Sequence, residues 1–260
     1  MSCRSSFNFT PPGLHARVLI VAHRQRPGCV LGVWQGGRVM PRLIPRERIE
    51  VSPGAVHLPG WLDLDAQRQL VISCREWITQ AGGMHAPRMP TGGVMSVEMA
   101  CLGWHWFPYG YSLTVDDGDG RKVAPFPDKL GEIGRRAVAD AYRDPDAGSA
   151  YRPDVALINW YDADARMGMH ADRDERSTAP VVSLSLGETC VFRFGNISTR
   201  NRPWIDVELE SGDLFVFGGR SRLAYHGVPK LLHGTGDPAI GISGGRYNLT
   251  MRQTGLAVPG

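Results

Sequence analysis

The sequence predicts a mainly β fold with flanking helices, an α+β chain whose strands form a barrel or jelly roll. Three observations lead there. Two segments carry apolar residues at helical spacing, the chain after Pro153 changes to a period of two, and glycine-rich turns separate the short period-two runs. With 260 residues and 42% hydrophobic content, the chain is long enough to bury a sizeable core.

The chain opens on a basic segment. Its first fifty residues hold eight arginines, no lysine and only Glu47 and Glu50, which leaves +6 there and −3 on the other 210 residues of a chain of net charge +3. Residues 1–52 are expected to be a flexible extension, either an arm that attracts phosphates or a tail without a function of its own. If the remaining domain handles nucleic acid, a local basic patch must do it, because its overall field does not attract phosphate. No run of about 18 apolar residues occurs, and Val18 to Ala22 is too short for a signal-peptide core. Cys3, Cys29, Cys74, Cys101 and Cys190 are scattered and odd in number, which argues against a disulfide framework or a cysteine-built zinc site. A cytoplasmic protein with no membrane attachment is expected, and a monomer.

From Asp63 to Gln80, Leu70, Val71, Cys74, Trp77 and Ile78 recur at helical spacing, with Asp63 placed to cap the start and Gly82-Gly83 to stop the end. A second helix is expected from Asp128 to Tyr142, after the breaker run Pro125-Phe126-Pro127. Both helices are expected ahead of all the strands. These are then read at Val155-Leu157, Val182-Leu184-Leu186, Cys190-Phe192-Phe194, Val207-Leu209, Leu214 to Phe217 and Tyr247-Leu249-Met251.

His170 and Asp172 stand one residue apart in a polar and aromatic run, and His226 follows the alternating stretch Leu223-Ala224-Tyr225. An isolated HxD triplet is weak evidence. Two histidines and a carboxylate meeting at the mouth of a jelly roll, however, form a facial triad suited to Fe(II), with open positions for a co-substrate and dioxygen. Arg246 and Arg252 lie on one face of a predicted strand with Asn248 between them, and Asn159 and Tyr161 sit two apart on an earlier one. Inward arginines need anions, and a dicarboxylate co-substrate is one candidate; the alternative is that they bond structural aspartates or face solvent.

Seven segments, "MSVEM", "LGWHWFPYGY", "INWYDADARMGMHADRDE", "VSLSLG", "FRFG", "ESGDLFVFGGRSRLAYHGV" and "RYNLTMRQ", occur in this order. Together they resemble the bacterial AlkB family of iron and 2-oxoglutarate-dependent DNA dealkylases, over roughly Val56 to Gln253. The resemblance implies a domain at 53–256 with a double-stranded β-helix (jelly roll) core at about 153–253 and an N-terminal nucleotide-recognition lid at about 84–126. It implies oxidative demethylation of bases such as 1-methyladenine and 3-methylcytosine in single- or double-stranded DNA. 2-Oxoglutarate would be decarboxylated to succinate and formaldehyde released. By the same resemblance His170, Asp172 and His226 bind Fe(II), while Asn159, Tyr161, Arg246, Asn248 and Arg252 hold 2-oxoglutarate. Trp104 corresponds to the aromatic that stacks on the flipped base, in preference to Trp106. Tyr111 corresponds to a phosphate or sugar contact with Ser112 beside it, and Asp174 to an acid near the exocyclic amine. The family's basic base-contacting residue falls on Thr199, with Arg200 adjacent; either takes that role, or neither does. An oxygenase acting on RNA or a small molecule, and a metal-binding jelly roll without catalysis, are the alternatives.

Overall fold

A computed structural model describes residues 46–116 and 118–257. In chain order the elements are β1 (Ile49–Ser52), β2 (Ala55–Leu58), α1 (Leu64–Gln80), β3 (Glu98–Leu102), β4 (His105–Phe107), β5 (Gly110–Ser112), α2 (Asp128–Tyr142) and α3 (Pro145–Ala150). There follow β6 (Val155–Tyr161), β7 (Met167–His170), β8 (Val181–Gly187), β9 (Thr189–Phe194), β10 (Ile205–Leu209), β11 (Leu214–Phe217), β12 (His226–Leu232) and β13 (Arg246–Arg252). Both predicted helices form. Asp63 caps α1 by accepting from the Ala66 amide, and Gly82 and Gly83 leave it with positive φ, a conformation open to residues without a Cβ.

One sheet runs β1-β2-β11-β8-β13-β6-β3, the other β10-β9-β12-β7. The inner four strands of the first, β11-β8-β13-β6, face the whole of the second, and these eight antiparallel strands make the double-stranded β-helix. The period of two has a specific meaning here, because both faces of the large sheet are covered. Val182, Leu184 and Leu186 of β8 and Leu249 and Met251 of β13 join Leu70, Cys74, Trp77, Leu130 and Val138 of the helices in one apolar core. The alternate residues, among them Ser183, Ser185, Arg246 and Asn248, are also buried, but they face the other sheet. This polar inner face positions the site. Beside it, Phe192, Phe194, Phe215 and Phe217 fill the space between the sheets.

Three expectations need correction. Strands do not wait for the helices: β1 and β2 precede α1, and β3 to β5 lie between α1 and α2. The segment 84–126 is not all lid, since β3 pairs with β6 as the edge of the large sheet and leaves the β4–β5 hairpin apart. Of the basic extension, residues 1–45 lie outside the described residues, whereas Arg46 to Ser52 belong to the folded domain. Arg46 explains why. Its guanidinium donates to both oxygens of Asp213, at 2.6 and 2.8 Å, in a pairing across 167 residues that no local pattern reveals.

Asp213 is fully buried and also accepts from the amides of Gly60 and Glu210, at 2.8 and 2.9 Å, with His57 Nε2 at 2.9 Å. Burial works against its charge, but the bonds from His57 and Arg46 prevail and hold its pKa below the usual carboxylate value. A depressed folded pKa contributes stability above the unfolded value of about 3.9, and that contribution disappears as pH falls through the folded pKa. Asp213→Asn is therefore expected to cost roughly 3 kcal/mol at neutral pH, the lower end for a broken buried pair, because Arg46 keeps some access to water. Denaturant titrations over a pH series should show the gap from the unsubstituted protein narrowing below about pH 4; a gap independent of pH would contradict this account.

Candidate metal and co-substrate site

His170 closes β7 and His226 opens β12, and the antiparallel register sets them opposite each other with ring centroids 4.4 Å apart. Asp172 follows two residues after His170, its Oδ1 3.7 Å from His170 Nε2 and its Oδ2 3.8 Å from His226 Nε2. Backbone carbonyls set the tautomers. His170 Nδ1 donates to Gly168 O at 2.9 Å and His226 Nδ1 to Ala224 O at 3.0 Å, so both Nε2 lone pairs are left facing Asp172. Burial, then the charge of His170, push the His226 pKa down to about 4, which keeps this imidazole neutral. Burial would raise the Asp172 pKa, but Arg252 foremost, with His226 and His170, brings it down to about 2. Asp172 Oδ2 is buried without a hydrogen-bond partner among the described residues. Two imidazole nitrogens and a partnerless buried carboxylate oxygen fit a divalent cation.

The triad opens on a cavity of about 550 Å³ between the sheets, whose wall includes Asn159, Tyr161, Arg246, Asn248 and Arg252. Arg246 is 1% exposed. Its Nη2 donates to Ser185 Oγ at 2.9 Å and its guanidinium lies 5.2 Å from the Tyr161 ring centroid, but Nε and Nη1 are buried without partners among the described residues. A buried guanidinium with unpaired donors on a cavity wall calls for an anionic partner such as a carboxylate. Tyr161, its pKa raised to about 12 by burial foremost, stays a neutral donor beside it. Asn248 is fixed by donating to Ser183 Oγ at 2.7 Å and accepting from Thr250 at 2.9 Å, and Asn159 Nδ2 lies 3.4 Å from Asn248 Oδ1.

Arg252 differs from Arg246. Its Nη2 donates to Asp172 Oδ1 at 2.8 Å and its Nη1 to Glu175 Oε1 at 3.0 Å and the Tyr111 hydroxyl at 3.2 Å, leaving Nε as its partnerless donor. Glu175 follows the metal-site loop, where an acid is as often part of a solvated turn. Its side chain is instead fully buried, and Oε2 accepts from Arg222 Nη2 at 2.9 Å. Burial would raise its pKa, but Arg252 leads the influences that hold it below the usual value.

The substrate contacts expected from the family divide. Trp104 is 7% exposed and packs in a satellite core with Met99, Cys101, Val155 and Leu157; Met99 and Leu157 reach the cavity wall, but Trp104 does not line it. Trp106 lines the cavity in its place, its Nε1 donating to Asp174 Oδ2 at 2.9 Å. Two residues of an extended segment would share a face, but β4 starts only at His105. Gly103 ahead of it has φ +81°, and a Cβ there would fall 2.0 Å from Asp154 O, so the alternation does not reach back to Trp104. Tyr111 turns inward to Glu175 and Arg252, and the Ser112 hydroxyl donates to the Thr114 carbonyl. Neither lines the cavity. Asp174 and Arg200 are on its wall, whereas Thr199 is held in the adjacent turn by its amide bond to Asn196 Oδ1 at 2.9 Å. Sequence reasoning missed Glu175, Arg222 and Ser185, whose partners are distant in the chain. No helix of the described residues is long and apolar enough to cross a membrane.

The 2OG-Fe(II) oxygenase superfamily matches over residues 54–252. A Caulobacter vibrioides protein, named an alpha-ketoglutarate-dependent dioxygenase AlkB homolog, is 38% identical over 80% of this chain and 91% of its own length. The Escherichia coli alpha-ketoglutarate-dependent dioxygenase AlkB is 41% identical over 64% of this chain and 75% of its own. The Arabidopsis thaliana DNA N(6)-methyladenine demethylase ALKBH1D is 30% identical over 80% of this chain, which spans only 52% of that longer relative. Among solved structures, that of OsALKBH1 matches with a TM-score of 0.70 and 31% identity over 80% of this chain and 100% of that one.

Proposed function

We propose that this chain, which belongs to the 2OG-Fe(II) oxygenase superfamily and within it to the AlkB family, oxidatively demethylates N-alkylated bases in DNA. One observation carries the reading: the partnerless donors of Arg246 and the triad of His170, Asp172 and His226 line the same cavity. His170, Asp172 and His226 would hold Fe(II), and Arg246, with Tyr161, Asn159 and Asn248, the 2-oxoglutarate. When bound, iron would supply the chemistry that couples 2-oxoglutarate and dioxygen: one oxygen atom hydroxylates an N-methyl group and the other enters succinate, with carbon dioxide released. No residue of the cavity is needed as a nucleophile, because a hydroxymethyl on a ring nitrogen is a hemiaminal that loses formaldehyde by itself. The β4–β5 hairpin and its flanks would serve as the lid, Trp106 offering a plane to replace the stacking that a flipped base loses. Asp174 beside it favours a cationic base such as 1-methyladenine or 3-methylcytosine over the neutral N6-methyladenine in the Arabidopsis relative's name.

The test is incubation with iron, ascorbate, 2-oxoglutarate and DNA or RNA oligonucleotides carrying each of these three bases, read by mass for loss of a methylene. Turnover of the cationic bases in DNA is expected first; no turnover of any strand would defeat the proposal, and preference for RNA would redirect it. Arg246→Lys in the same assay should raise the 2-oxoglutarate requirement roughly tenfold to hundredfold, equivalent to the ~1.5–3 kcal/mol of a hydrogen bond to a charged group. An unchanged requirement would assign the clamp to another residue.

A further inference from the structure

We propose that Glu175 and Arg222 are positioning residues for Asp172, and that with Tyr111 they couple the β4–β5 hairpin to the metal site; this rests on the reading of His170, Asp172 and His226 as metal ligands. Four charged groups form a closed, buried circuit. Arg252 holds Asp172 Oδ1 at 2.8 Å, Glu175 Oε1 holds Arg252 at 3.0 Å, and Glu175 Oε2 holds Arg222 at 2.9 Å. Arg222 returns to the start by donating from Nη1 to the main-chain oxygen of Asp172 at 2.9 Å, and its Nε fixes Ala179 O at 2.8 Å. Asp172 is thus gripped at side chain and backbone by two arginines, and Glu175 is the carboxylate that orders both.

The circuit carries two negative and two positive charges, so it is neutral as a whole. It also leaves Asp172 Oδ2 as its partnerless oxygen, 3.8 Å from His226 Nε2. Removing the Glu175 charge would leave two arginines competing for Asp172 alone. The carboxylate would be drawn away from the histidines, and a cation would meet unbalanced positive charge. The Tyr111 hydroxyl joins the circuit from outside, donating to Glu175 and accepting from Arg252, and Tyr111 lies on β5 of the hairpin. A second tie, Trp106 Nε1 to Asp174, joins β4 to the same loop. Ordering of Asp172 by a metal should therefore steady the hairpin, and the hairpin should reciprocate.

The test uses the full chain stripped of metal and titrated with Co(II) alone, followed by visible absorption, with amide exchange of residues 105–112 measured before and after. Metal should slow that exchange in the unsubstituted protein. Glu175→Gln is expected to bind Co(II) roughly ten- to hundredfold more weakly, the range for lost support of a metal ligand. Tyr111→Phe, which removes one hydroxyl, should lose the metal-dependent protection of the hairpin. Unchanged Co(II) affinity in Glu175→Gln would overturn the positioning role, and exchange indifferent to Co(II) would overturn the coupling. Should Glu175→Gln fail to fold, Tyr111→Phe decides: full metal-dependent protection in that variant overturns the proposal. Neither readout uses nucleic acid or 2-oxoglutarate, so an absence of demethylation would leave both standing, whereas a chain that bound no Co(II) would lose the metal site itself.

Discussion

Alanine at His170, Asp172 or His226 is expected to abolish demethylation and to reduce metal binding below what a titration with Co(II) detects. Two remaining donors cannot close a facial set, and the wrong positions are then opened. The three variants should differ in stability, because their surroundings differ. His170 has a side chain 38% exposed, and its removal forfeits one bond to a backbone carbonyl. Asp172→Ala strands Arg252, which is left with Glu175 and Tyr111 in a buried setting, so a cost approaching the roughly 3–5 kcal/mol of a broken buried pair is expected. His226→Ala lies between, leaving a hole beside Phe192 and Phe217. Denaturant midpoints without metal separate these costs from lost chemistry. Normal demethylation by any of the three at ordinary iron concentration would sink the metal assignment.

What the sequence made legible is what local spacing encodes. An Asp cap with a Gly-Gly stop defines α1, breaker prolines define the start of α2, alternating apolar residues mark β8 and β13, and a short continuous apolar run marks β11. The triad was legible because two of its members are one residue apart and the third follows an alternating stretch. Less was visible where partners are remote. Glu175 pairs with Arg222 and Arg252 across 47 and 77 residues, and nothing near Glu175 in the chain separates a buried counter-ion from a solvated acid. β12 escaped notice because Pro229 and Lys230 interrupt its pattern, and the register against β9 shifts there between Gly227 and Lys230. The arginines show the same limit. Both share a face of β13 as the period requires, yet only three-dimensional pairing distinguishes Arg246, with two open donors, from Arg252, already engaged by two carboxylates.

The two tryptophans of "LGWHWFPYGY" should separate recognition from stability. Trp106→Ala removes an aromatic plane from the cavity wall and the Nε1 bond to Asp174, and takes away a half-buried side chain at the edge of the satellite core rather than one within it. It is expected to lose on the order of 1–3 kcal/mol of base stacking, and with it most discrimination between methylated and unmodified strands. The salt dependence of binding should hold, since no phosphate contact is removed. Trp104→Ala instead empties a site packed by Met99, Cys101, Val155 and Leu157, so it should destabilise the fold by about 3–5 kcal/mol. Below its unfolding temperature that variant should still choose the methylated strand. Denaturation midpoints, together with strand titrations at several salt concentrations and with Mn(II) in place of iron to prevent turnover, measure both quantities on the same samples. If Trp104→Ala erased discrimination at full stability while Trp106→Ala preserved it, the stacking plane would belong to Trp104 as the family resemblance implies. The β4–β5 hairpin would then have to turn over when a strand binds.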